Sequence, residues 1–203
     1  MITSSVEFGS DCAVEEYLSI DPLHLLRRWL PSPDSPPALM ALATIGNDGY
    51  PRVRHVLLSE ADDSAVYFHT DSRSAKVAEL AARPRAAVTL AWPALGRQIA
   101  AHGDVHGVPD DALRQTYAQR TRYLQLLAWL NDAQAAALSA DERRRRWAEF
   151  DSAHPVLEPP MTWTGFAVKL REITFWRGDP DGPSQRTRFR RAGESWTAEV
   201  LPG

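Results

Sequence analysis

The chain has 203 residues, of which 44% are hydrophobic and 24% are charged, an ordinary composition for one globular domain with its own core. The formal net charge of −3 argues against a general nucleic-acid-binding protein, which usually carries a basic surplus. We expect no membrane-spanning helix and no signal peptide, because no run of about eighteen apolar residues occurs and the N-terminus lacks a basic, then apolar, start. The single cysteine, Cys12, cannot form an intrachain disulfide, which indicates a reducing, cytoplasmic compartment.

One helix is predicted near the N-terminus. Residues 1–20 are polar and irregular, so we interpret them as a mobile arm and residues 21–203 as a single domain. Asp21-Pro22 predicts a helix start, since Asp caps a helix and proline suits the first helical position. The helix is predicted over residues 23–30, followed by a proline-rich linker at residues 31–37.

Five strands are predicted between residues 38 and 108. The first two flank the turn Gly46–Gly49, whose Asn-Asp-Gly sequence is a strong hairpin signal. A helix over Ser74–Ala82 separates the third strand from the fourth. Short links between successive strands favour an antiparallel barrel over a parallel sheet. The strands are predicted at residues 38–45, 51–58, 64–70, 85–92 and 97–108.

The second half begins with helices and ends with strands. Ser139 and Glu142 form a capping-box pattern at one helix start. The arginine run at residues 143–146 is interpreted as a solvated helix face. Helices are predicted at residues 111–119, 123–131 and 139–150, and strands at 163–170, 172–176, 187–191 and 195–200.

Several short motifs follow one another in a specific order between about Asp21 and Pro202. They are Leu39–Thr44 with Asp48-Gly49, Arg54–Leu58, Phe68–Thr70, Ser74–Lys76, Pro84–Ala86, Trp92, Arg97–Ile99, Trp163–Phe166, Ile173–Trp176 and Arg188-Phe189. Each motif alone is weak, but together the chain resembles the pyridoxamine 5′-phosphate oxidase family of FMN-binding split barrels. The resemblance implies an α+β, mainly β, antiparallel split barrel with peripheral helices. It also implies a homodimer with two FMN sites at the interface. No metal is expected, because no Cys/His spacing in the sequence suggests a zinc site.

The resemblance assigns the cofactor site. Arg54 resembles the family's arginine that grips the FMN phosphate, although on pattern alone it could equally be a barrel-rim arginine reaching for water. Ser74 and Lys76 resemble phosphate-binding residues at a helix start, where backbone N–H groups and the helix dipole favour an anion. Gln98 resembles a glutamine at the flavin ring edge. The implied FMN set is Arg54, His55, Val56, Leu57, His69, Thr70, Ser74, Ala75, Lys76, Gln98, Gln134, Trp176 and Arg188.

The cofactor motifs also depart from the family pattern. The serine-arginine-lysine triplet reads Ser74-Ala75-Lys76, so one phosphate-binding arginine is missing, and Arg73 is a candidate substitute. His69 occupies the place of a tyrosine. Gln134 is shifted by about one position from the family's glutamine-serine pair.

The substrate motifs depart further. The lysine that holds the phosphate of a B6 vitamer is Ser59 here, and a serine is Leu124. Charge-assisted hydrogen bonds to phosphate contribute about 1.5–3 kcal/mol each, so their loss would weaken the binding of a phosphorylated substrate. The sequence therefore predicts a changed substrate. The predicted substrate-binding residues are Ser59, Tyr117, Arg120, Leu124, Ser184 and Arg186, and the candidate catalytic residues are His69 and Arg186.

Three functions are consistent with these residues. The first is an FMN-dependent oxidase that performs a two-electron oxidation of a small ring or amine with O2 as acceptor, as in natural-product pathways of the phenazine type. The second is a genuine pyridoxamine or pyridoxine 5′-phosphate oxidase of vitamin B6 metabolism, with a rebuilt substrate site that uses Arg120 and Arg186. The third is a non-catalytic flavin- or deazaflavin-binding protein.

Overall fold

The computed structural model describes residues 18–30 and 38–203. Most of the predicted N-terminal arm and the predicted linker at residues 31–37 lie outside the described residues. Helix α1 (Pro22–Trp29) begins as expected, because the Asp21 carboxylate accepts hydrogen bonds from the backbone N–H groups of Leu23 and His24. None of the helices within the described ranges combines the length and the apolar character needed to cross a membrane.

The strands form one mostly antiparallel, curled sheet, which confirms the predicted split-barrel fold. Hydrogen-bonded neighbours follow the order β2-β1-β5-β6-β7-β4-β3, and β8 joins β7 to β9. The hairpin predicted from Asn-Asp-Gly is β1-β2, in which Ile45 pairs with Pro51. The strands are β1 (Leu39–Ile45), β2 (Pro51–Leu57), β3 (Glu60–Ala61), β4 (Ala65–Asp71), β5 (Arg85–Trp92), β6 (Arg97–Gly107), β7 (Trp163–Arg177), β8 (Gln185–Ala192) and β9 (Ser195–Pro202).

Strand β7 corrects one prediction, since it is continuous where two strands were expected. Its register with β6 shifts between His102 and Gly103, which leaves Arg171 as an extra, bulged residue. A Cβ on Gly103 would lie 1.9 Å from the carbonyl oxygen of Lys169, so only glycine permits this approach of the two backbones. The bulge breaks the side-chain alternation without ending the hydrogen-bonded ladder, which is why the pattern suggested two strands.

Five helices connect the strands and cover the sheet. The capping box of Ser139 and Glu142 is present, as predicted. The two-residue β3 and the four-residue α5 were not predicted, because such short elements show no periodicity. The helices are α2 (Ala75–Ala82), α3 (Asp110–Ala118), α4 (Arg122–Leu130), α5 (Ala133–Ala136) and α6 (Ala140–Ala153).

The hydrophobic core lies between the inner face of the sheet and α1. Leu23, Leu25 and Leu26 of α1 are at most 2% exposed. The ring of Trp29 meets Phe175 of β7 edge-on, with centroids 5.1 Å apart. This packing fixes the long strand β7, which contributes residues near both of the candidate site regions described below.

Candidate functional site

A cavity of about 360 Å³ opens between β2, β4, α4 and the start of β7. Polar side chains at the start of α2 line one part of it, and Arg120 and His69 line another. Its apolar wall comes from α4. The lining residues are His55, Val56, Leu57, His69, Thr70, Asp71, Ser74, Lys76, Arg120, Leu124, Leu127, Ala128, Asn131, Thr162 and Trp163.

Lys76 is the centre of the polar part of the cavity. Its Nζ donates to Thr70 Oγ1 and to Ser74 Oγ, both at 3.0 Å. Ser74 is the N-cap residue of α2, but its side chain makes no capping hydrogen bond, so the first N–H groups of the helix lack a side-chain acceptor from it. Burial, together with the nearby Arg54 charge, lowers the pKa of Lys76. No carboxylate in the described chain forms an ion pair with this ammonium group. The arrangement suits an anion.

Arg54 does not line this cavity. Its Nη2 donates to Glu79 Oε2 at 2.7 Å, and its Nη1 contacts Thr44 Oγ1 and the Leu42 carbonyl oxygen. Glu79 is only 4% exposed, and Thr44 donates to the same Oε2 atom at 2.5 Å. The Thr44 hydrogen bond and the Arg54 cation hold the pKa of the Glu79 carboxyl below its usual range. The predicted phosphate-gripping guanidinium is thus bound to a buried carboxylate.

A second polar cluster surrounds the His69 imidazole. Its Nδ1 lies 2.9 Å from Ser59 Oγ and 3.3 Å from Arg120 Nη2, and Arg120 Nη2 also donates to Ser59 Oγ at 2.5 Å. The His69 ring stacks on Trp163, with centroids 5.1 Å apart and planes 9° apart. Burial, and then the Arg120 charge, lower the pKa of His69 to about 4. The imidazole is therefore neutral at physiological pH.

Several predicted site residues lie elsewhere. Tyr117 is 1% exposed and its hydroxyl donates to the Gln125 carbonyl oxygen, so it is a core residue that supports Trp163 edge-on. Gln134 is exposed on α5 and Ala75 is exposed at the start of α2, both outside the cavity lining. Arg73 binds the carboxylate of Asp71 and is not among the residues that line this cavity; with Asp71 and Ser74 it lines a neighbouring one.

Residues from the C-terminal strands form a second group. Gln98 pairs with Trp176, and Trp176 pairs with Arg186, so these three side chains lie in one row across β6, β7 and β8. Arg188 lies two residues further along β8 and donates to Glu199 at 2.6 Å. Gln98, Trp176 and Arg186 line a separate cavity of about 330 Å³, whereas Arg188 and the half-buried Ser184 do not.

The two groups are far apart along β7. Thr70 of the first cavity pairs with Thr164 near the start of β7, and Gln98 pairs with Trp176 near its end. Trp176 comes twelve residues after Thr164, so the two groups lie at opposite ends of this strand. The predicted FMN residues therefore fall into two sets that one protomer holds separately.

Sequence reasoning missed Glu79 and Thr44. Glu79 lies three residues after Lys76 and so shares a face of α2 with it, which was an available signal. The register of the predicted hairpin was a further signal, because it pairs Thr44 with Arg52 and Leu42 with Arg54 and so places Thr44 near both arginines. Nothing in the sequence beyond the helical pattern of α4 indicated that the cavity wall includes Leu127, Ala128 and Asn131.

Comparison with known proteins identifies two matching sequence profiles. The profile described as "Pyridoxamine 5'-phosphate oxidase" matches residues 34–154. The profile described as "Pyridoxine 5'-phosphate oxidase C-terminal dimerisation region" matches residues 163–202. Together they cover most of the described chain, including both groups of candidate residues.

Curated relatives and solved structures match over nearly the full length. A pyridoxine/pyridoxamine 5′-phosphate oxidase of Acidothermus cellulolyticus is 33% identical, with 97% of this chain and 92% of the relative covered. One of Mannheimia succiniciproducens is 31% identical, with 96% and 95% covered. The structure of PhzG from Burkholderia lata 383 in complex with tetrahydrophenazine-1-carboxylic acid gives a TM-score of 0.82 at 25% identity, with 96% and 99% covered. A related FMN-binding protein of Nostoc punctiforme gives 0.67 at 18% identity, with 89% and 93% covered, which supports the fold.

Proposed function

Because the chain belongs to the pyridoxamine 5′-phosphate oxidase family, we propose that it is an FMN-dependent oxidoreductase. Its reaction is the two-electron oxidation of a small ring or amine substrate, with O2 as the acceptor. The observation that carries this proposal is the Lys76 cluster at the start of α2. There an ammonium group that forms no ion pair within the described residues meets hydroxyls and uncapped backbone N–H groups in one cavity.

The residues fit the phosphate of FMN. A phosphate ester needs several donors and at least one cation, which Lys76, Ser74, Thr70 and the α2 start supply. Arg54 contributes as a nearby charge, since it already lowers the pKa of Lys76. FMN, when bound, supplies the redox chemistry by accepting two electrons from the substrate. The chain's residues bind the cofactor tail, orient the substrate beside the apolar α4 wall and exclude water.

The lining of the substrate part of the cavity favours an apolar ring substrate over a B6 vitamer phosphate. Leu124 and Leu127 form an apolar wall, and Arg120 is the cation beside it. The Burkholderia lata protein was crystallised with tetrahydrophenazine-1-carboxylic acid, a partly reduced ring system. Oxidation of such a ring is the same kind of two-electron step. A B6 oxidase is the second candidate, favoured by the names of the curated relatives at 31–33% identity.

We propose further that each FMN site uses two copies of the chain. Gln98, Trp176 and Arg188 lie toward the end of β7 opposite the Lys76 cluster, and the two groups line separate cavities or none in common. The match of residues 163–202 to a dimerisation region supports a symmetric dimer. In such a dimer the C-terminal group of one copy completes the cavity of the other.

Mixed dimers test both proposals. One chain carries Arg54→Ala and Lys76→Ala, and the other carries Trp176→Ala and Arg188→Ala. Each variant alone loses its yellow FMN absorbance. When the two are co-expressed, half of the dimers are hybrids with one intact site, so about a quarter of the wild-type FMN content returns. Absence of any recovery contradicts the shared site, and full FMN retention in the first variant contradicts the phosphate assignment.

Substrate turnover tests the choice between candidates. The FMN-loaded protein is assayed for hydrogen peroxide release with pyridoxamine 5′-phosphate, pyridoxine 5′-phosphate and a dihydroaromatic carboxylic acid. Turnover of the reduced ring alone supports the proposal, and efficient turnover of the B6 phosphates supports the second candidate. A lack of turnover with every donor, combined with reoxidation no faster than that of FMN in solution, indicates a non-catalytic flavin-binding protein.

A further inference from the structure

Within the described residues, Arg120 is a desolvated cation without an acidic partner. Its guanidinium lies 5.5 Å from the Trp163 ring centroid, and its polar contacts are Ser59 and His69, both neutral. Among residues 18–30 and 38–203, no carboxylate forms an ion pair with it. Burial lowers the pKa of Arg120, and no neighbouring acid opposes that effect. A half-buried guanidinium without a counter-charge is costly to maintain and points to an anionic ligand.

The hydrogen-bond pattern fixes the roles in this cluster. A guanidinium can only donate, so Nδ1 of His69 must accept from Arg120 Nη2. The hydroxyl of Ser59 accepts from Arg120 and can donate to the same Nδ1 atom. The proton of the neutral imidazole then sits on Nε2, which is buried without a polar partner in the described chain. Ser59 Oγ and His69 Nδ1 lie 2.9 Å apart on the same side of Nη2, so they share one of its two hydrogens and leave the second free.

We infer that His69 is a positioning residue, which with Ser59 turns the remaining edge of Arg120 toward the cavity as a receptor for a carboxylate on the substrate. This inference rests on the proposed function and specifies its substrate class. The remaining edge pairs the second Nη2 hydrogen with the N–H beside it, two parallel donors that match the two oxygens of a carboxylate. The ring that carries the carboxylate lies against the leucine wall of α4.

The same cluster is poorly suited to a phosphate dianion. The Ser59 hydroxyl is engaged by His69, and the Tyr117 hydroxyl donates to the Gln125 carbonyl oxygen. The side chain of Leu124 has no polar atom that could donate a hydrogen bond to a phosphate. One guanidinium edge can bind two of the three terminal oxygens of a phosphate and can neutralise one of the two negative charges of the phosphate. A carboxylate is therefore the better match in both charge and geometry.

The position of His69 also depends on Gly165. A Cβ at Gly165 would lie 2.6 Å from Cδ2 and 2.8 Å from Nε2 of the imidazole. Gly165 pairs with His69 across β4 and β7, and the imidazole stacks on Trp163 two residues away. The ring is thus confined on several sides, as expected of a side chain that orients another.

Three naphthalene ligands with one ring and different substituents test this inference. 2-Naphthoate, 2-naphthamide and 2-naphthyl phosphate are titrated into the purified, FMN-loaded protein by isothermal calorimetry. We expect 2-naphthoate to bind at least about tenfold more tightly than either other ligand, in line with a charge-assisted bidentate contact. Equal binding of the amide, or tighter binding of the phosphate, overturns the inference.

Variants separate the receptor from the residue that positions it. Arg120→Met removes the preference for the carboxylate. His69→Leu weakens 2-naphthoate about tenfold and leaves 2-naphthamide unchanged, whereas His69→Asn, whose amide oxygen can accept from Arg120, stays within about threefold of wild type. His106→Leu, an exposed histidine of β6, is the matched control. A carboxylate preference that survives His69→Leu in a folded protein contradicts the positioning role.

The FMN content of each sample is measured by its visible absorbance. If the protein takes up no FMN but still prefers 2-naphthoate, the proposed cofactor function fails and the carboxylate receptor stands. If FMN binds normally and no ligand preference is found, the receptor fails and the cofactor function stands.

Discussion

Replacing Glu79 by Gln tests whether the buried ion pair with Arg54 stabilises the split barrel. Glu79 is 4% exposed and binds Thr44 at 2.5 Å and Arg54 at 2.7 Å. Removing one partner of a buried ion pair typically costs about 3–5 kcal/mol. Here the Arg54 side chain remains 23% exposed, and the Gln amide oxygen can still accept from Thr44. We therefore expect a loss of about 2 kcal/mol in the free energy of unfolding.

Urea unfolding followed by far-ultraviolet circular dichroism measures this loss. With a denaturant slope of about 2 kcal/mol/M, the midpoint should fall by about 1 M. All samples are compared at one protein concentration, because the proposed dimerisation would contribute to the apparent stability. Glu194→Gln, in the exposed turn between β8 and β9, is the control and should leave the midpoint unchanged. An unchanged midpoint for Glu79→Gln would show that the ion pair contributes nothing net, and our reasoning about its role would be wrong.

Three further predictions follow from the same structure. The stability difference between wild type and Glu79→Gln should shrink below about pH 4.5. Because the pKa of Glu79 is lowered in the folded chain, the carboxylate stabilises the fold above that pH, and its protonation in acid removes this contribution. Urea titrations at pH 3.5 and 7 measure the difference, and an equal difference at both pH values contradicts the prediction. In the unfolded chain His69 takes up a proton near its ordinary pKa of 6.5, whereas in the folded chain its pKa is about 4, so wild type should lose stability as the pH falls from 6.5 to 4. His69→Asn should lose less stability over this range, and urea unfolding at pH 5 and 7 measures the difference. Gly103→Ala should lower the melting temperature by about 3–10 °C through its clash with the Lys169 carbonyl group, whereas Gly107→Ala at the end of the same strand meets no atom within 4 Å and should change little.

Local patterns predicted most of the fold. Asn-Asp-Gly fixed the β1-β2 hairpin, because these residues tolerate the positive φ that Gly49 adopts at 83°. Asp21 and Ser139 marked helix starts through capping chemistry that depends on only a few neighbouring residues. The β7 bulge was not predictable in this way, because it depends on the approach of the β6 backbone at Gly103.

The site was predictable where adjacency in sequence brings residues together. Thr70, Ser74 and Lys76 are within seven residues of one another across a strand end and a helix start, and they meet in the structure. The partner of Arg54 was missed because Glu79 comes from another element and its burial is a tertiary property. The separation of Gln98 and Trp176 from this cluster is also tertiary, since the sheet order sets it.

The distribution of charge in the cavity supports the proposal that the chain keeps the cofactor chemistry of its family and changes the substrate. At the cofactor end Ala75 supplies no cation and Glu79 neutralises much of the Arg54 charge, so Lys76 and the N–H groups of α2 must provide most of the attraction for a phosphate. At the substrate end a single guanidinium has neutral partners in His69 and Ser59. In the proposed function a dianion is therefore bound at the α2 start, and the Arg120 end selects a ligand with one negative charge.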